Sequence, residues 1–187
     1  MKSIRKTLVL TLMLVFAVGG ASAQAPEKSW IVEGLAGVAV PTFDITDLAD
    51  PGFVFGGAAG YLFNDKLLVM VEVDFGTHTG ADDGPDVNVY HYMAKAGYQV
   101  FKSQDDKLRI FVNAGVGAMA FDVDVDAFDT KTYLGINAGA KIYYAINDMF
   151  NIVVSPQGDI AFVDEADGFT GSTAWVWPLT AGIAVSF

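Results

Sequence analysis

The sequence predicts an all-β protein: an eight-stranded antiparallel up-and-down transmembrane β-barrel, preceded by a cleavable signal peptide. Three observations support this. Hydrophobic residues make up 52% of the 187-residue chain, whereas charged residues make up 18%, below the roughly 25% usual for soluble proteins. The apolar residues recur with a period of two rather than 3.6. After residue 24 the one uncharged run as long as a membrane-spanning helix, residues 168–187, alternates with a period of two and contains Pro178, as a helix of that kind would not.

Composition also excludes several classes of function. A chain of this length is normally one domain. The formal net charge of -11 argues against a nucleic-acid partner, because the phosphates would be repelled. The chain has no cysteine, which rules out disulfides, thiolate metal sites and cysteine nucleophiles. We expect no cofactor and no bound metal as part of the fold.

Residues 1–23 have the three parts of a secretory signal peptide. Lys2, Arg5 and Lys6 form a basic region, residues 8–18 form an apolar core, and residues 21–23 (ASA) form a small-x-small cleavage site. A transmembrane anchor is the alternative, but the run lacks a basic stop-transfer cluster at its end. Cleavage would remove three positive charges, leaving residues 24–187 as the barrel domain with a net charge of -14.

Each strand is predicted from its alternation. In residues 172–187 one face carries Trp175, Trp177 and Leu179, and the opposite face carries Val176, Pro178 and Thr180. Residues 108–121 alternate in the same way. Equivalent segments give eight strands, at about 30–40, 53–63, 67–77, 87–101, 108–121, 131–146, 150–162 and 172–187.

The connections between these strands alternate between short and long. Short turns lie near residues 64–66, 103–107 and 147–148, and longer connections rich in Asp, Gly and Thr lie at 41–52, 78–86, 122–130 and 163–171. An even number of strands with alternating short and long connections is typical of outer membrane barrels. Strands of this length are sufficient to cross the hydrocarbon layer when tilted.

A soluble lipocalin-type barrel or a sandwich would alternate as well, but it would cover its outside with polar residues. Here the face opposite the apolar one is dominated by small residues, which fit the narrow lumen of eight strands. The aromatic residues on the apolar face lie mostly near strand ends, as expected for two girdles at the membrane interfaces. They are Trp30, Phe53, Phe63, Tyr90, Tyr98, Tyr144, Phe150, Phe162, Trp175 and Phe187.

Assigning the apolar face to lipid places several charged residues in the lumen. Because an isolated buried ion is very costly, we expect a closed lumen charge network of Glu33, Glu72, Lys95, Arg109 and Lys141. The network would plug the barrel and fix its register. The alternative is a gate for ions, which is less favoured because an eight-stranded interior is just wide enough to be filled by side chains.

The four longer connections hold 13 of the 22 acidic residues, with Lys131 as the base nearby. Asp122, Asp124, Asp126 and Asp129 are a possible cation-binding rim, because hard cations prefer carboxylate oxygens. The segment FDVDVDAFD lacks the glycine and distal glutamate of an EF-hand. Loops that are simply solvated, or adapted to a salty medium, are the preferred interpretation.

No catalytic constellation is predicted. The two histidines are His78 and His91, and a hydrolase would need a serine beside His91 with Asp74 or Asp159 orienting the ring. Ser155 faces the lumen on the seventh strand, which lies far from the fourth in a simple meander. A lumen histidine bonded to a carboxylate is the expected state, and we expect the protein not to be an enzyme.

The last eight residues, TAGIAVSF, resemble the assembly signal of bacterial outer membrane barrels, with Gly182, Val185 and the terminal Phe187 at the defining positions. The whole chain after residue 23 is similar to the OmpA/OmpX-type outer membrane β-barrel family, without a periplasmic peptidoglycan-binding domain. The resemblance implies insertion by the barrel-assembly machinery, both termini in the periplasm, long loops outside the cell and a salt-bridge cluster in the lumen.

Two functions remain open at this stage. One is a structural or surface-interaction role, in which a plugged barrel sits among outer membrane lipid and lipopolysaccharide and displays an acidic extracellular rim to partners or divalent cations. The other is a narrow porin-like channel for small solutes or cations, whose preference would be set by the acidic mouth.

Overall fold

The computed structural model describes residues 28–42, 49–63, 65–81, 84–124, 129–165, 169 and 171–187. The predicted signal peptide, residues 1–23, lies outside this part of the chain. The described residues form eight strands: β1 (Lys28–Thr42), β2 (Gly52–Phe63), β3 (Leu67–His78), β4 (Val87–Lys102), β5 (Leu108–Val123), β6 (Lys131–Ala145), β7 (Phe150–Phe162) and β8 (Thr173–Ser186). Each predicted strand is confirmed to within two residues at either end.

The strands form one closed antiparallel barrel in which neighbours in sequence are neighbours in space and β1 pairs with β8. The closing pair runs from Ile31 opposite Ser186 to Thr42 opposite Trp175. Beyond it, the backbone N–H of Trp30 donates to the carbonyl of Phe187 at 2.8 Å, and the N–H of Phe187 donates back at 3.0 Å. Closure leaves no unpaired sheet edge among the described strands, as a lipid environment requires.

The predicted assignment of the two strand faces is confirmed. Trp177 and Leu179 are exposed on the outside, whereas Val176 and Thr180, which flank them in the alternation, are buried. The outward face of the barrel is apolar over its whole circumference, and it includes Val71, Val116 and Leu134, each more than half exposed. Such a contiguous apolar surface is stable in water only when it is covered, and lipid covers it in a membrane barrel. No helix among the described residues is long and apolar enough to cross a membrane.

The short turns and the proline-containing strands follow local rules. Asp65 and Asp106 adopt left-handed backbone conformations in the turns after β2 and β4, with φ of 55° and 59°, which Asp tolerates better than most residues. Pro156 on β7 has no N–H to pair with β6. The hydroxyl of Ser155 donates to the carbonyl of Ala140 at 3.4 Å, so a side-chain hydrogen bond links β7 to β6 next to the proline.

The lumen is packed in three layers. The layer near the short turns, here called the short-turn layer, is apolar and contains Ile31, Leu35, Ala58, Leu62, Leu68, Met70, Phe111, Tyr143, Val153 and Ala184. The layer near the long connections, the long-loop layer, is also apolar and contains Ala39, Val54, Val89, Met93, Met119, Phe121, Ala161, Val163, Ala174 and Val176. Most of the buried polar residues lie between these two layers, whereas Glu33 lies among the apolar residues of the short-turn layer and His91 among those of the long-loop layer.

Small residues make room for large ones within these layers. A Cβ on Gly135 would lie 2.8 Å from Met93 Cε and 3.1 Å from Met119 Cγ. The long-loop layer ends in an aromatic cluster, in which the ring centroids of Phe121 and Tyr133 lie 5.4 Å and 5.6 Å from that of Phe169. The predicted lumen of small residues is therefore correct but incomplete, because alternating large and small side chains fill the barrel.

Candidate functional site in the lumen

The site is one connected set of side chains in the middle of the lumen, here called the lumen network. Its members come from five strands that face each other across the barrel, and each points inward because it occupies a lumen position of its strand's alternation. They are Glu33 on β1, Glu72 on β3, His91 and Lys95 on β4, Asn137, Lys141 and Tyr143 on β6, and Gln157 and Asp159 on β7.

Lys141 is the centre of one half of the lumen network. Its Nζ lies 2.5 Å from Glu33 Oε2 and 2.7 Å from Glu72 Oε2, and its side chain is fully buried. The hydroxyl of Tyr143 donates to the other carboxylate oxygen of Glu33. One cation therefore serves two carboxylates on strands that are not neighbours, and it ties β1, β3 and β6 together across the lumen.

Lys95 is the centre of the other half. Its Nζ donates to Glu72 Oε1 and to Gln157 Oε1, and the Gln157 amide donates to Glu72 Oε1 at 2.8 Å. Asn137 donates to Gln157 at 3.1 Å and also to Asp159. These contacts continue the network from β3 and β4 to β6 and β7.

The network ends at His91. Its Nδ1 lies 2.6 Å from Asp159 Oδ2, and both side chains are buried. Because a carboxylate accepts, Nδ1 carries the hydrogen of this bond. The sequence predicts a lumen histidine bonded to a carboxylate, and this contact has that form. The reasoning that β7 lies too far from β4 is wrong, however, because a closed barrel brings non-adjacent strands together across its lumen.

The charges alternate in sign along the network, which explains how they are tolerated in a dry interior. Glu33 and Glu72 face Lys95 and Lys141, Asp159 accepts a hydrogen bond from His91, and every ionisable member has at least one partner. Removing one partner would leave an uncompensated buried charge, which typically costs about 3–5 kcal/mol. The arrangement therefore fixes which strands face each other and blocks the lumen.

The structure brings together four of the five residues predicted for the lumen charge network: Glu33, Glu72, Lys95 and Lys141. Arg109 is not joined to them by any ion pair or hydrogen bond in the described part of the chain. It is half-buried near the start of β5, opposite Tyr143 in register. This position lies two residues before Phe111, on the short-turn side, where Arg109 faces Tyr143 rather than a carboxylate.

Tyr143, Asn137 and Gln157 were not predicted as members of the network. Asn137 and Gln157 were recognisable as polar residues at lumen positions, but nothing in the sequence shows which residues meet across a barrel. Tyr143 is harder to recognise, because a tyrosine in an apolar strand is typical of a girdle. Its neighbour Tyr144 is indeed on the outside.

The rim residues are less organised. Asp122 accepts a hydrogen bond from Thr130 at 3.1 Å, and Asp124 and Asp129 are exposed. Asp126 lies outside the described residues. In the described ranges no three His, Asp or Glu side chains are placed to hold one metal ion.

The assembly-signal residues all lie in or directly after β8. Gly182 packs against β1, where a Cβ would lie only 1.8 Å from the carbonyl oxygen of Gly34. Val185 lies beside Val32 of β1 in register, and Phe187 is 39% exposed on the outside.

The outward aromatics complete the geometry of a membrane protein. At the short-turn end, Trp30 and Tyr61 form an edge-on pair with centroids 5.2 Å apart. At the long-loop end, the ring centroid of Phe75 lies 5.1 Å from those of both Phe55 and Tyr90. A closed eight-stranded barrel with an apolar exterior, two aromatic girdles and a polar lumen defines an outer membrane β-barrel protein.

Comparison with known proteins agrees with this class. Residues 8–185 match the family described as outer membrane protein beta-barrel domain, and the chain belongs to that family.

Solved structures show the same fold at low sequence identity. Neisserial surface protein A is 19% identical, with a TM-score of 0.64 over 88% of this chain and 99% of that one. A major outer membrane protein of Thermus thermophilus is 16% identical, with a TM-score of 0.60 over 86% and 99%. Ail, the attachment invasion locus protein of Yersinia pestis, is 14% identical, with a TM-score of 0.56 over 86% and 98%. The protein is therefore an outer membrane barrel of the OmpA/OmpX type.

Proposed function

We propose that this protein is a closed structural and surface-interaction barrel, not a channel and not an enzyme. The observation that carries the proposal is the layering of the lumen. Most of the polar lumen network lies between two apolar layers, with Phe111 and Met119 among the fully buried side chains of those layers. A conducting pore needs a continuous polar or hydrated path, and neither apolar layer offers one.

Planar-bilayer recordings test this proposal directly. The chain lacking residues 1–23, refolded and inserted, should give no current above that of the bare bilayer. Lys95→Ala should also stay closed, because both apolar layers remain on either side of the altered network. A porin reconstituted in the same lipid supplies the positive control. Discrete single-channel currents from the unaltered chain would overturn the plugged-barrel proposal and support the narrow porin-like alternative.

We further propose that both termini lie in the periplasm and that the four long connections face outward. This orientation rests on the membership of the outer membrane barrel family and on the position of both termini at the short-turn end, where Trp30 pairs with Phe187. An epitope inserted within residues 44–47 should be detected on intact cells. An epitope placed after residue 24 should be detected only after the outer membrane is permeabilised. The opposite pattern would reverse the assignment.

The proposed partners follow from the surfaces. The apolar belt contacts outer membrane lipid and lipopolysaccharide. The acidic rim attracts divalent cations as loosely held counterions rather than as an ordered site, since Asp122 is already bonded to Thr130. Asp122→Asn should therefore leave calcium binding by the refolded chain unchanged within twofold. A loss greater than tenfold would instead identify an ordered calcium site at this carboxylate.

The barrel-assembly machinery is the proposed partner during insertion, recognising the end of β8. Deletion of Phe187 should reduce the amount of folded protein in the outer membrane, whereas refolding of the purified chain into detergent should change little. Replacement of Phe150, which is exposed on the same belt, by Ala is a matched control that removes a girdle aromatic elsewhere. Equal defects for the two variants would contradict a specific signal.

A surface role is consistent with one of the related structures, because Ail is described as an attachment invasion locus protein. We propose that the long connections of this chain likewise contact molecules outside the cell. Cells that express the protein should adhere to a surface differently from cells that express a variant with the 163–171 connection replaced by a short turn. Identical adhesion would leave the barrel with a structural role alone.

A further inference from the structure

Asp74 is a buried lumen carboxyl that the lumen network does not use. It lies on β3, is 2% exposed, and its Oδ1 has no hydrogen-bond partner among the described residues. The position is fitted to the side chain, because a Cβ on Gly56 of the neighbouring β2 would lie only 2.1 Å from Asp74 Oδ1. Glycine at this position therefore leaves room for the carboxyl.

The two lysines of the lumen network are both engaged with other carboxylates. Lys141 pairs with Glu33 and Glu72, and Lys95 pairs with Glu72. His91, the register partner of Asp74 on β4, donates its Nδ1 hydrogen to Asp159.

The other charged groups around Asp74 do not compensate for it. On its own strand Glu72 is two residues away on the same face, a like charge, and His78 bonds through Nδ1 to the carbonyl of Asp50. Burial is the largest influence on the Asp74 carboxyl, followed by Glu72, through its charge and a side-chain hydrogen bond, and then by His91 and Lys95. β2 presents only Gly56 at this level. Asp159 of β7 and Lys141 and Tyr143 of β6 are the ionisable groups of those strands in the network, and all three are engaged elsewhere.

We infer that Asp74 is a proton-binding site, at which the folded barrel holds one proton that the unfolded chain releases. An ionised carboxylate at this place would be buried without a cation of its own and would repel Glu72, which is far costlier than keeping the neutral acid. The neutral acid adds no further negative charge beside Glu72, which Lys95 and Lys141 already serve.

The inference makes the closure of the barrel sensitive to pH. In an unfolded chain an aspartate is ionised above about pH 4, so folding takes up a proton at Asp74. A folded state that binds one more proton than the unfolded state loses stability as pH rises, by up to about tenfold in the unfolding equilibrium constant per pH unit. The barrel is therefore most stable in acidic medium, and raising the pH weakens the packing around Glu72.

Asp74→Asn tests the inference, because the amide has nearly the same shape as the protonated acid and does not ionise. Urea unfolding of the refolded chain in detergent micelles should be measured at pH 5.5, 7.0 and 8.5. The variant should already be more stable at pH 5.5, because the unfolded chain has ionised Asp74 by then, and its advantage should grow as the pH rises. At pH 8.5 the variant should be more stable by at least tenfold in the equilibrium constant.

Asp159→Asn is the matched control, because Asp159 is equally buried but accepts hydrogen bonds from His91 and Asn137. It should destabilise the barrel at every pH and keep the fall in stability between pH 5.5 and 8.5. If Asp159→Asn instead of Asp74→Asn removed that fall, the proton would belong to the His91–Asp159 pair and the inference would be overturned.

Infrared spectroscopy gives a second measurement that does not depend on the unfolding of a variant. The folded chain at pH 7 should show the carbonyl stretch of a protonated carboxylic acid, and Asp74→Asn should remove it. A band that is absent from the unaltered chain, or that persists in the variant, would contradict the inference.

Discussion

Lys141 is the residue whose replacement tests the lumen network most severely. Lys141→Met keeps most of the side-chain length but removes the cation that lies 2.5 Å from Glu33 Oε2 and 2.7 Å from Glu72 Oε2. Glu33 then keeps only Tyr143, and Glu72 keeps Lys95 and Gln157. Breaking a buried ion pair by removing one partner costs about 3–5 kcal/mol, or roughly a 100- to 4000-fold rise in the unfolding equilibrium constant at about 1.4 kcal/mol per tenfold.

The assay is urea unfolding of the refolded chain in detergent micelles, followed by tryptophan fluorescence. The matched control is Lys102→Met, because Lys102 forms an exposed ion pair with Asp106 at 3.1 Å. Exposed pairs contribute about 0–1 kcal/mol. The double variant Lys141→Met with Glu33→Gln should recover part of the loss, because it removes the carboxylate left without its lysine.

The reasoning is refuted if Lys141→Met destabilises the barrel by less than about 1 kcal/mol, as the exposed pair does. The lumen network would then have no stabilising role. If Lys141→Met does not refold at all, Lys141→Arg supplies a second comparison. It keeps the charge in a bulkier group, so it should refold with a smaller loss than the methionine variant, because buried carboxylates retain a cationic partner. Failure of both to refold, with Lys102→Met normal, would agree with the predicted severity.

Three other predictions concern separate parts of the barrel. Gly182→Ala should cost several kcal/mol and lower the folded yield, because its Cβ would lie 1.8 Å from the carbonyl oxygen of Gly34. Gly34→Ala is the control and should be tolerated, because no atom lies within 4 Å of its Cβ. Equal yields of heat-modifiable barrel on gels for the two variants would contradict this. Phe111→Ala should reduce the free energy of unfolding, measured by urea unfolding, by about 3–5 kcal/mol through the cavity it leaves. A reduction below about 1 kcal/mol would show that the short-turn layer collapses into that cavity. The hydroxyl of Ser103 donates to Asp105 at 2.6 Å and lowers the pKa of that exposed carboxyl. Ser103→Ala should therefore raise the pKa of Asp105, as measured by NMR titration. An unchanged pKa would assign the lowered value to the remaining backbone hydrogen bonds.

The sequence by itself determined the strands, their number and their two faces. Alternation with a period of two places Trp177 outside and Thr180 inside without any knowledge of the fold, because side-chain direction in a strand depends only on local backbone geometry. Glycine and aspartate in the connections mark where each strand ends, and Asp65 and Asp106 show why. These properties are local, and a linear pattern records them.

Only the tertiary structure decided which lumen residues meet. Lys141 contacts Glu33 and Glu72 from a strand adjacent to neither, and His91 reaches Asp159 across the barrel rather than along the sheet. Such contacts depend on closure, on the stagger of the strands and on the height of each residue in the lumen. Arg109 illustrates the limit: it has the alternation of a lumen residue, but its position at the start of β5 places it opposite Tyr143 rather than beside a carboxylate. Alternation records which way a side chain points, whereas the partners of a lumen residue are set by three-dimensional closure, which no local pattern contains.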